Sequence, residues 1–256
     1  MTLLASEIIQ GFYTFLWPMV RISALLMTAP VISINAVNIR LRILIALALT
    51  IMIYPLVDWP VIDPVSAEGI FEIFNQIFIG AIMGLMLQIV TAAIVVGGQS
   101  IAAALGLGMA NMIDPNVGNV PVIAQFFIIL SSLIFIGFGG HVVLVGLLLE
   151  SFLTVPIGMT FVGAITLGNL VSWSSMMFLG AVLLALPLMV TMLFINIGVG
   201  VITRAAPSLN IFAVGFPAFI FSGFIILIVT MAIIGNRIEW LWIQAFLRLR
   251  NLLGLG

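Results

Sequence analysis

The apolar run IFNQIFIGAIMGLMLQIVTAAIVV, residues 73–96, contains no charged residue, and its main polar interruption is Gln88. The hydrocarbon core of a bilayer is about 30 Å thick, so a helix that crosses it needs roughly 20 mostly apolar residues. The run is long enough for one such helix. The sequence lacks the alternating segments of about ten residues that a membrane barrel requires, and an open strand in lipid would leave its backbone groups unpaired. This run therefore predicts an all-α membrane protein.

Similar runs fill most of the chain, so we predict a polytopic membrane protein with about six helical spans. Five or seven spans are open alternatives, because Glu150 and Pro156 interrupt one run, and another is too long for one straight span and holds Pro187. The other apolar runs cover residues 8–29, 41–57, 122–140, 142–167, 171–203 and 211–235. No low-complexity linker divides the chain, so we predict one membrane domain over residues 1–256.

The composition agrees with a membrane protein and excludes several kinds of chemistry. The chain is 64% hydrophobic and 6% charged, whereas soluble domains carry about 25% charged residues. It has no cysteine and no lysine, which excludes thiolate metal sites, the lysine of a phosphate-binding loop and a lysine Schiff base. His141 is the single histidine, and alone it makes neither a zinc site nor a catalytic triad. We expect no enzymatic activity, cofactor, metal or nucleic-acid partner.

The charges of the connections suggest an orientation in the membrane. Arg40 and Arg42 follow the first run, and the C-terminal tail holds Arg237, Arg248 and Arg250. Cytoplasmic segments of membrane proteins are enriched in arginine. We therefore expect both segments on the cytoplasmic side, and the acidic connection at residues 58–72 on the other side.

Arg21 lies deep inside the first apolar run. A charge at such depth is costly and requires a partner. Two interpretations are equally open. Arg21 faces a water-filled path or a neighbouring subunit, or it pairs with Glu150 and only fixes the packing of helices.

Two stretches with helix-breaking residues stand out in this apolar chain. The first, GGQSIAAALGLGMANMIDPNVGNVP at residues 97–121, predicts irregular backbone. Such backbone at membrane depth is tolerated only inside protein or beside a water-filled cavity, so it indicates a pore constriction or an interface; an ordinary loop outside the membrane is the alternative. The second, ALPLMVTMLFINIGVGVITRAAPSLNIFAVGFP at residues 185–217, predicts a helical hairpin with a tight tip near Arg204 and Pro207.

The order of GLGMANMIDP at residues 106–115 and of the motif at residues 187–217 resembles the FliR family of flagellar export proteins and its injectisome relatives, the SctT proteins. The resemblance implies a subunit of a flagellar type III export gate in the bacterial inner membrane, at the flagellar basal body. It also implies assembly with FliP and FliQ, contact with FlhB, and the passage of unfolded flagellar proteins. Residues 1–170 would be a FliP-like part, and residues 171–256 a FliQ-like hairpin with a C-terminal tail.

The resemblance also assigns roles to individual residues. Arg204, Pro207 and Asn210 match the tip of the hairpin, where we expect packing or subunit contact. The pore plug of the family matches Gly106, Leu107, Gly108, Met109, Ala110, Asn111 and Met112.

A secondary transporter is the alternative function. It would use Arg21, Glu150 or Asp114 to bind a coupling ion at broken helices. It would also show internal repeats with matching breaks, and the sequence contains no convincing pair.

Overall fold

Every regular element in the described part of the chain is helical, as the apolar runs predicted. The computed structural model describes residues 2–30, 38–107, 121–159, 164–205 and 211–255. A short 3-10 turn, Tyr54–Leu56, extends the second helix. The α-helices are α1 (Thr2–Thr28), α2 (Ile39–Ile53), α3 (Ala67–Ala104), α4 (Val122–Gly137), α5 (Gly140–Thr154), α6 (Ala164–Ala205) and α7 (Ile211–Leu252).

The helices make this a multi-pass membrane protein, and the described residues contain four or five candidate spans, a range that includes the predicted alternative of five. Four segments are long and apolar enough to cross a membrane, namely Ile39–Leu56, Ala67–Ala104, Thr166–Ala205 and Pro217–Leu252. A fifth span is present if α4 and α5, which are separated by a short break, cross the membrane as one. The other predicted runs correspond to α1, α4 and α5, none of which qualifies as a separate span by length and composition. α4 and α5 have only 16 and 15 residues.

Helix α3 extends beyond the predicted run at both ends. Ser66 caps its start, since the Ser66 Oγ accepts a hydrogen bond of 3.0 Å from the Gly69 N–H. At the other end the helix continues to Ala104, so the prediction that it breaks at Gly97 was wrong. A Cβ on Gly98 would lie 2.6 Å from the Ala124 Cα. Close packing against neighbouring backbone therefore outweighs the low helix propensity of the glycines.

Contacts divide the chain into two compact units built from interleaved segments. Unit 1 comprises Met1–Ile89, Gly139–Ser174 and Gln244–Gly256, and unit 2 comprises Val90–Phe138 and Ser175–Ile243. Neither unit follows the predicted boundary at residue 170. That boundary and the single domain stay predictions about the organisation of the chain.

In unit 1, small residues allow α1 and α3 to pack with their backbones close together. A Cβ on Gly80 would lie 2.3 Å from the Arg21 carbonyl oxygen, and one on Gly84 would lie 2.7 Å from the Thr28 Cβ. The spacing of these glycines is the one that favours close helix packing in membranes. Trp17 and Ile22 are completely buried in the same core.

In unit 2, contacts between α6 and α7 confirm the predicted hairpin. A Cβ on Gly180 would lie 2.9 Å from the Leu241 side chain, and one on Gly223 would lie 3.6 Å from the Met192 Cε. As α6 advances from Gly180 to Met192, its neighbour on α7 recedes from Leu241 to Gly223. The two helices are therefore antiparallel, and residues 206–210 connect them outside the described ranges.

Candidate functional site

Arg21 is completely buried in unit 1, and its guanidinium makes hydrogen bonds to three other residues. Nε donates to the Gln76 Oε1 at 2.6 Å, Nη1 donates to the carbonyl oxygen and Oγ of Ser151 at 2.8 and 3.2 Å, and Nη2 donates to the Val155 carbonyl oxygen at 2.9 Å. The guanidinium carbon also lies 4.3 Å from the centre of the Phe152 ring. Arg21 therefore links α1 to α3 and to the C-terminal end of α5.

Glu72 supplies the negative charge of this buried cluster. The Gln76 Nε2 donates a hydrogen bond to the Glu72 Oε1, and the Asn75 Nδ2 lies 3.4 and 3.3 Å from the two carboxylate oxygens. The Asn75 Nδ2 also donates to the Met159 carbonyl oxygen at 2.9 Å. Glu72 and Asn75 are 3% and 4% exposed, so the Gln76 amide connects a buried cation to a buried anion. We call Arg21, Glu72, Asn75, Gln76 and Ser151 the polar cluster.

The partners of Arg21 differ from the predicted pair with Glu150. Within the described ranges, the guanidinium hydrogen bonds go to Gln76, Ser151 and Val155, and Glu150 is half-buried beside Ser151 on α5. The backbone carbonyls at the end of a helix carry partial negative charge, which allows them to hold an arginine. Arg21 is completely buried within its own chain, which favours the interpretation that it fixes the packing of helices; its role stays a prediction.

Sequence reasoning missed Glu72, Asn75 and Gln76. It placed Glu72 in the polar connection between spans, whereas α3 begins at Ala67 and carries Glu72 in its second turn. A signal was present, because Glu72, Gln76 and Gly80 are spaced by four residues and therefore lie on one face of a helix. That face packs on α1 at Arg21.

The polar cluster holds the end of α5 and the turn that follows it against α1 and α3. Arg21 holds Ser151 and Val155, and Asn75 holds Met159, in a turn closed by a 3.2 Å hydrogen bond from the Met159 N–H to the Pro156 carbonyl oxygen. The bonds to Val155 and Met159 supply partners for carbonyl groups at the end of α5 and in the turn. The Ser151 carbonyl oxygen also accepts a hydrogen bond of 3.0 Å from the Val155 N–H. The arrangement positions backbone and offers no exposed nucleophile. Among described residues, no group of three or more His, Asp or Glu side chains could hold a metal ion.

The predicted plug begins where α3 ends. Gly106 adopts a left-handed φ of 77°, and its N–H donates to the Ala103 carbonyl oxygen at 3.0 Å. This conformation commonly ends helices and suits glycine, which has no Cβ. Leu107 is half-buried. The other plug residues, 108–112, lie outside the described residues, so the plug as a whole stays a prediction.

The predicted hairpin tip is described only at its start. Arg204 lies in the last turn of α6 and its side chain is exposed. A cation in the last turn of a helix is stabilised by the negative end of the helix dipole. Pro207 and Asn210 lie outside the described residues.

Large apolar side chains cover the outer surfaces of the candidate spans. Only 17% of the span that contains α2 is buried, and the values for the spans in α6 and α7 are 33% and 22%. On α6, Phe178 and Phe194 are 64% and 69% exposed. Apolar surface of this extent needs lipid or other apolar protein around it.

Comparisons with known proteins agree over nearly the whole chain. A family model described as bacterial export proteins, family 1, matches residues 12–245. The chain is 34% identical over 248 residues to flagellar biosynthetic protein FliR of Pectobacterium carotovorum subsp. carotovorum, covering 96% of this chain and 95% of that protein. It is 33% identical to FliR of Escherichia coli strain K12 over 91% and 89% of the two chains. It is 28% identical to FliR of Bacillus subtilis strain 168 over 98% of each.

Proposed function

We propose a function from one premise, that this chain belongs to family 1 of the bacterial export proteins. The match covers residues 12–245, and relatives of nearly equal length carry the name flagellar biosynthetic protein FliR. The proposed function is that of a structural and pore-forming subunit of the flagellar type III export gate. In this role the chain assembles with FliP and FliQ in the bacterial inner membrane, contacts FlhB, and lets unfolded flagellar proteins pass.

The full-length similarity to FliR proteins is the observation that carries this proposal. The exposed apolar faces of α6 and α7 support it, because neighbouring helical subunits would bury such faces. The α6–α7 hairpin supplies two helices of 42 residues each. At about 1.5 Å per residue each is roughly 60 Å long, well beyond the thickness of a bilayer core. Helices of this length suit a subunit that extends out of the bilayer into a larger assembly.

Loss of the gene in its own bacterium tests the function directly. We expect a deletion strain to lack flagella and to stop secreting flagellar proteins, and a plasmid copy of the gene to restore both. Immunoblots of culture medium and of whole cells separate an export defect from a loss of synthesis. Normal secretion by the deletion strain would contradict the proposal.

Within this function we propose that residues 106–112 seal the closed pore. The support is the left-handed turn at Gly106, which ends α3 and starts a glycine- and methionine-bearing segment. Deleting the seven residues should leave the complex assembled but make the membrane permeable to small ions. A matched control replaces Met109 and Met112 by leucine, which keeps the apolar bulk and should preserve the seal.

Co-purification with FliP and FliQ verifies that each variant assembles, and ion flux through vesicles that contain the complex measures the leak. An assembled deletion variant with the same flux as the parent complex would show that these residues are not the seal.

A further inference from the structure

A small polar pocket lies in unit 1 near the C-terminal end of α7. Its volume is about 290 Å³, and Ser172, Trp173, Gln244, Leu247, Arg248 and Asn251 line it. Of the four lining residues from α7, the last three lie three, four and seven positions after the first, Gln244, and the four therefore share one helix face. The Arg248 Nη2 donates a hydrogen bond of 3.2 Å to the Ser172 Oγ, so α6 and α7 both build the pocket.

The side chains around the pocket suit a phosphate group. None of the six lining residues is acidic, and Arg248 supplies the charge. A guanidinium has five N–H donors in a planar fork that matches phosphate oxygens, and side-chain amides such as those of Gln244 and Asn251 add further donors. The Ser172 Oγ accepts a hydrogen bond from one Nη of this fork. That bond orients the guanidinium before a ligand arrives.

The pocket lies on the last turns of an apolar helix that is a candidate membrane span. That segment is Pro217–Leu252, and Arg237 and Glu239 separate its charge-free part from the pocket. The Trp173 ring and Leu247 give one wall of the pocket apolar character. Tryptophan is an amphipathic residue that is enriched where membrane proteins contact lipid headgroups. The Trp173 indole N–H is committed to the Met86 carbonyl oxygen at 3.0 Å, so the ring is held in place.

We propose that this pocket binds a phosphate anion, carried to it as the headgroup of an anionic glycerophospholipid. The volume lies at the lower limit of the roughly 300–1,000 Å³ of small-molecule sites, so it accommodates a headgroup while the acyl chains remain in the bilayer. Arginine pockets between membrane helices bind anionic headgroups by this combination of charge and hydrogen bonds. The site is independent of the export function proposed above.

Arg250 provides a matched control for Arg248. Both residues lie in the last turns of α7, but Arg250 is exposed and is not part of the pocket. The variants Arg248→Gln and Arg250→Gln therefore remove the same charge at nearly the same depth. Arg248→Lys keeps the charge without the planar fork, and Asn251→Ala removes one amide on the exposed rim of the pocket.

Native mass spectrometry of the full chain in mild detergent, titrated with phosphatidylglycerol, tests the proposal. For Arg248→Gln we expect the half-saturating lipid concentration to rise about ten-fold, which corresponds to about 1.4 kcal/mol. Arg248→Lys and Asn251→Ala should show smaller increases, and Arg250→Gln should stay within about two-fold of the parent. Equal unfolding midpoints for the two glutamine variants verify that both are folded.

Inorganic phosphate added to the lipid-bound parent protein distinguishes the two sources of the anion. Retention of the lipid at millimolar phosphate supports the headgroup, whereas displacement of the lipid would assign the pocket to free phosphate and overturn the lipid assignment. Equal weakening by Arg248→Gln and Arg250→Gln would show attraction to surface charge alone, and no weakening by Arg248→Gln would show that the pocket binds no anion. Either of these results overturns the proposal.

Discussion

Replacing Arg21 by methionine should be among the most destabilising single changes in unit 1. The change keeps an unbranched side chain of similar length but removes the donors to Gln76, Ser151 and Val155. It also removes the positive charge that compensates the carboxylate of Glu72, a residue that is only 3% exposed. Removing one partner of a buried charge pair costs about 3–5 kcal/mol, and each buried acceptor left unpaired costs about 1–3 kcal/mol. These costs overlap, so we expect a loss of about 4 kcal/mol in the free energy of unfolding.

A double variant separates the charge from the packing. In Arg21→Met with Glu72→Gln, no uncompensated carboxylate remains, so the total loss should be smaller than the sum of the two single losses. Residues in one hydrogen-bonded network show coupling of about 0.5–3 kcal/mol, and we expect a value in the upper half of that range. Arg40→Met is the matched control, because Arg40 is exposed at the start of α2 and such surface changes cost about 0.5 kcal/mol or less.

The assay is equilibrium unfolding of the full-length chain in mild-detergent micelles titrated with sodium dodecyl sulfate, followed by tryptophan fluorescence. A loss below about 1 kcal/mol for Arg21→Met, or strictly additive losses in the double variant, would refute the role given to the polar cluster.

Three further predictions, one of them with a matched control, are tested by the same unfolding measurement. Gly80→Ala should cost about 2 kcal/mol or more, because its Cβ would lie 2.3 Å from the α1 backbone, whereas Gly146→Ala, with nothing within 4 Å, should be neutral or slightly stabilising; equal effects would contradict the close packing. Gly106→Ala should cost about 1 kcal/mol, since φ is 77° there, and an unchanged stability would contradict the left-handed turn. Trp173→Phe should cost about 1 kcal/mol through loss of the 3.0 Å hydrogen bond to the Met86 carbonyl oxygen, and a stability equal to the parent would show that this bond contributes nothing.

The all-helical membrane fold could be predicted because lipid imposes a strong constraint on sequence. A helix must satisfy its own backbone and present about 20 apolar residues, and α3, α6 and α7 carry that pattern plainly. The end of α6 near Arg204 was also predictable, because proline and polar residues interrupt an otherwise apolar stretch; the tip itself stays a prediction. The number of spans was predictable only as a range, because α4 and α5 are individually too short to span a bilayer and the sequence does not show whether they act as one.

The polar cluster could be predicted only in part. The depth of Arg21 indicated that it needs a buried partner, but an arginine can use backbone carbonyls as well as carboxylates. The shortest bonds to Ser151 and Val155 go to backbone carbonyl oxygens, which every residue carries and which sequence does not distinguish. The helix through Gly97 and Gly98 was missed for a related reason, since glycine breaks a helix by local propensity but permits close packing within the fold.

The proposed assembly is tested most directly by native mass spectrometry of the chain purified in mild detergent from cells that also express FliP and FliQ. The account predicts one copy of this chain in a large hetero-oligomer with both partners. A chain that leaves the membrane as a lone monomer or a homodimer, while FliP and FliQ assemble without it, would contradict the account.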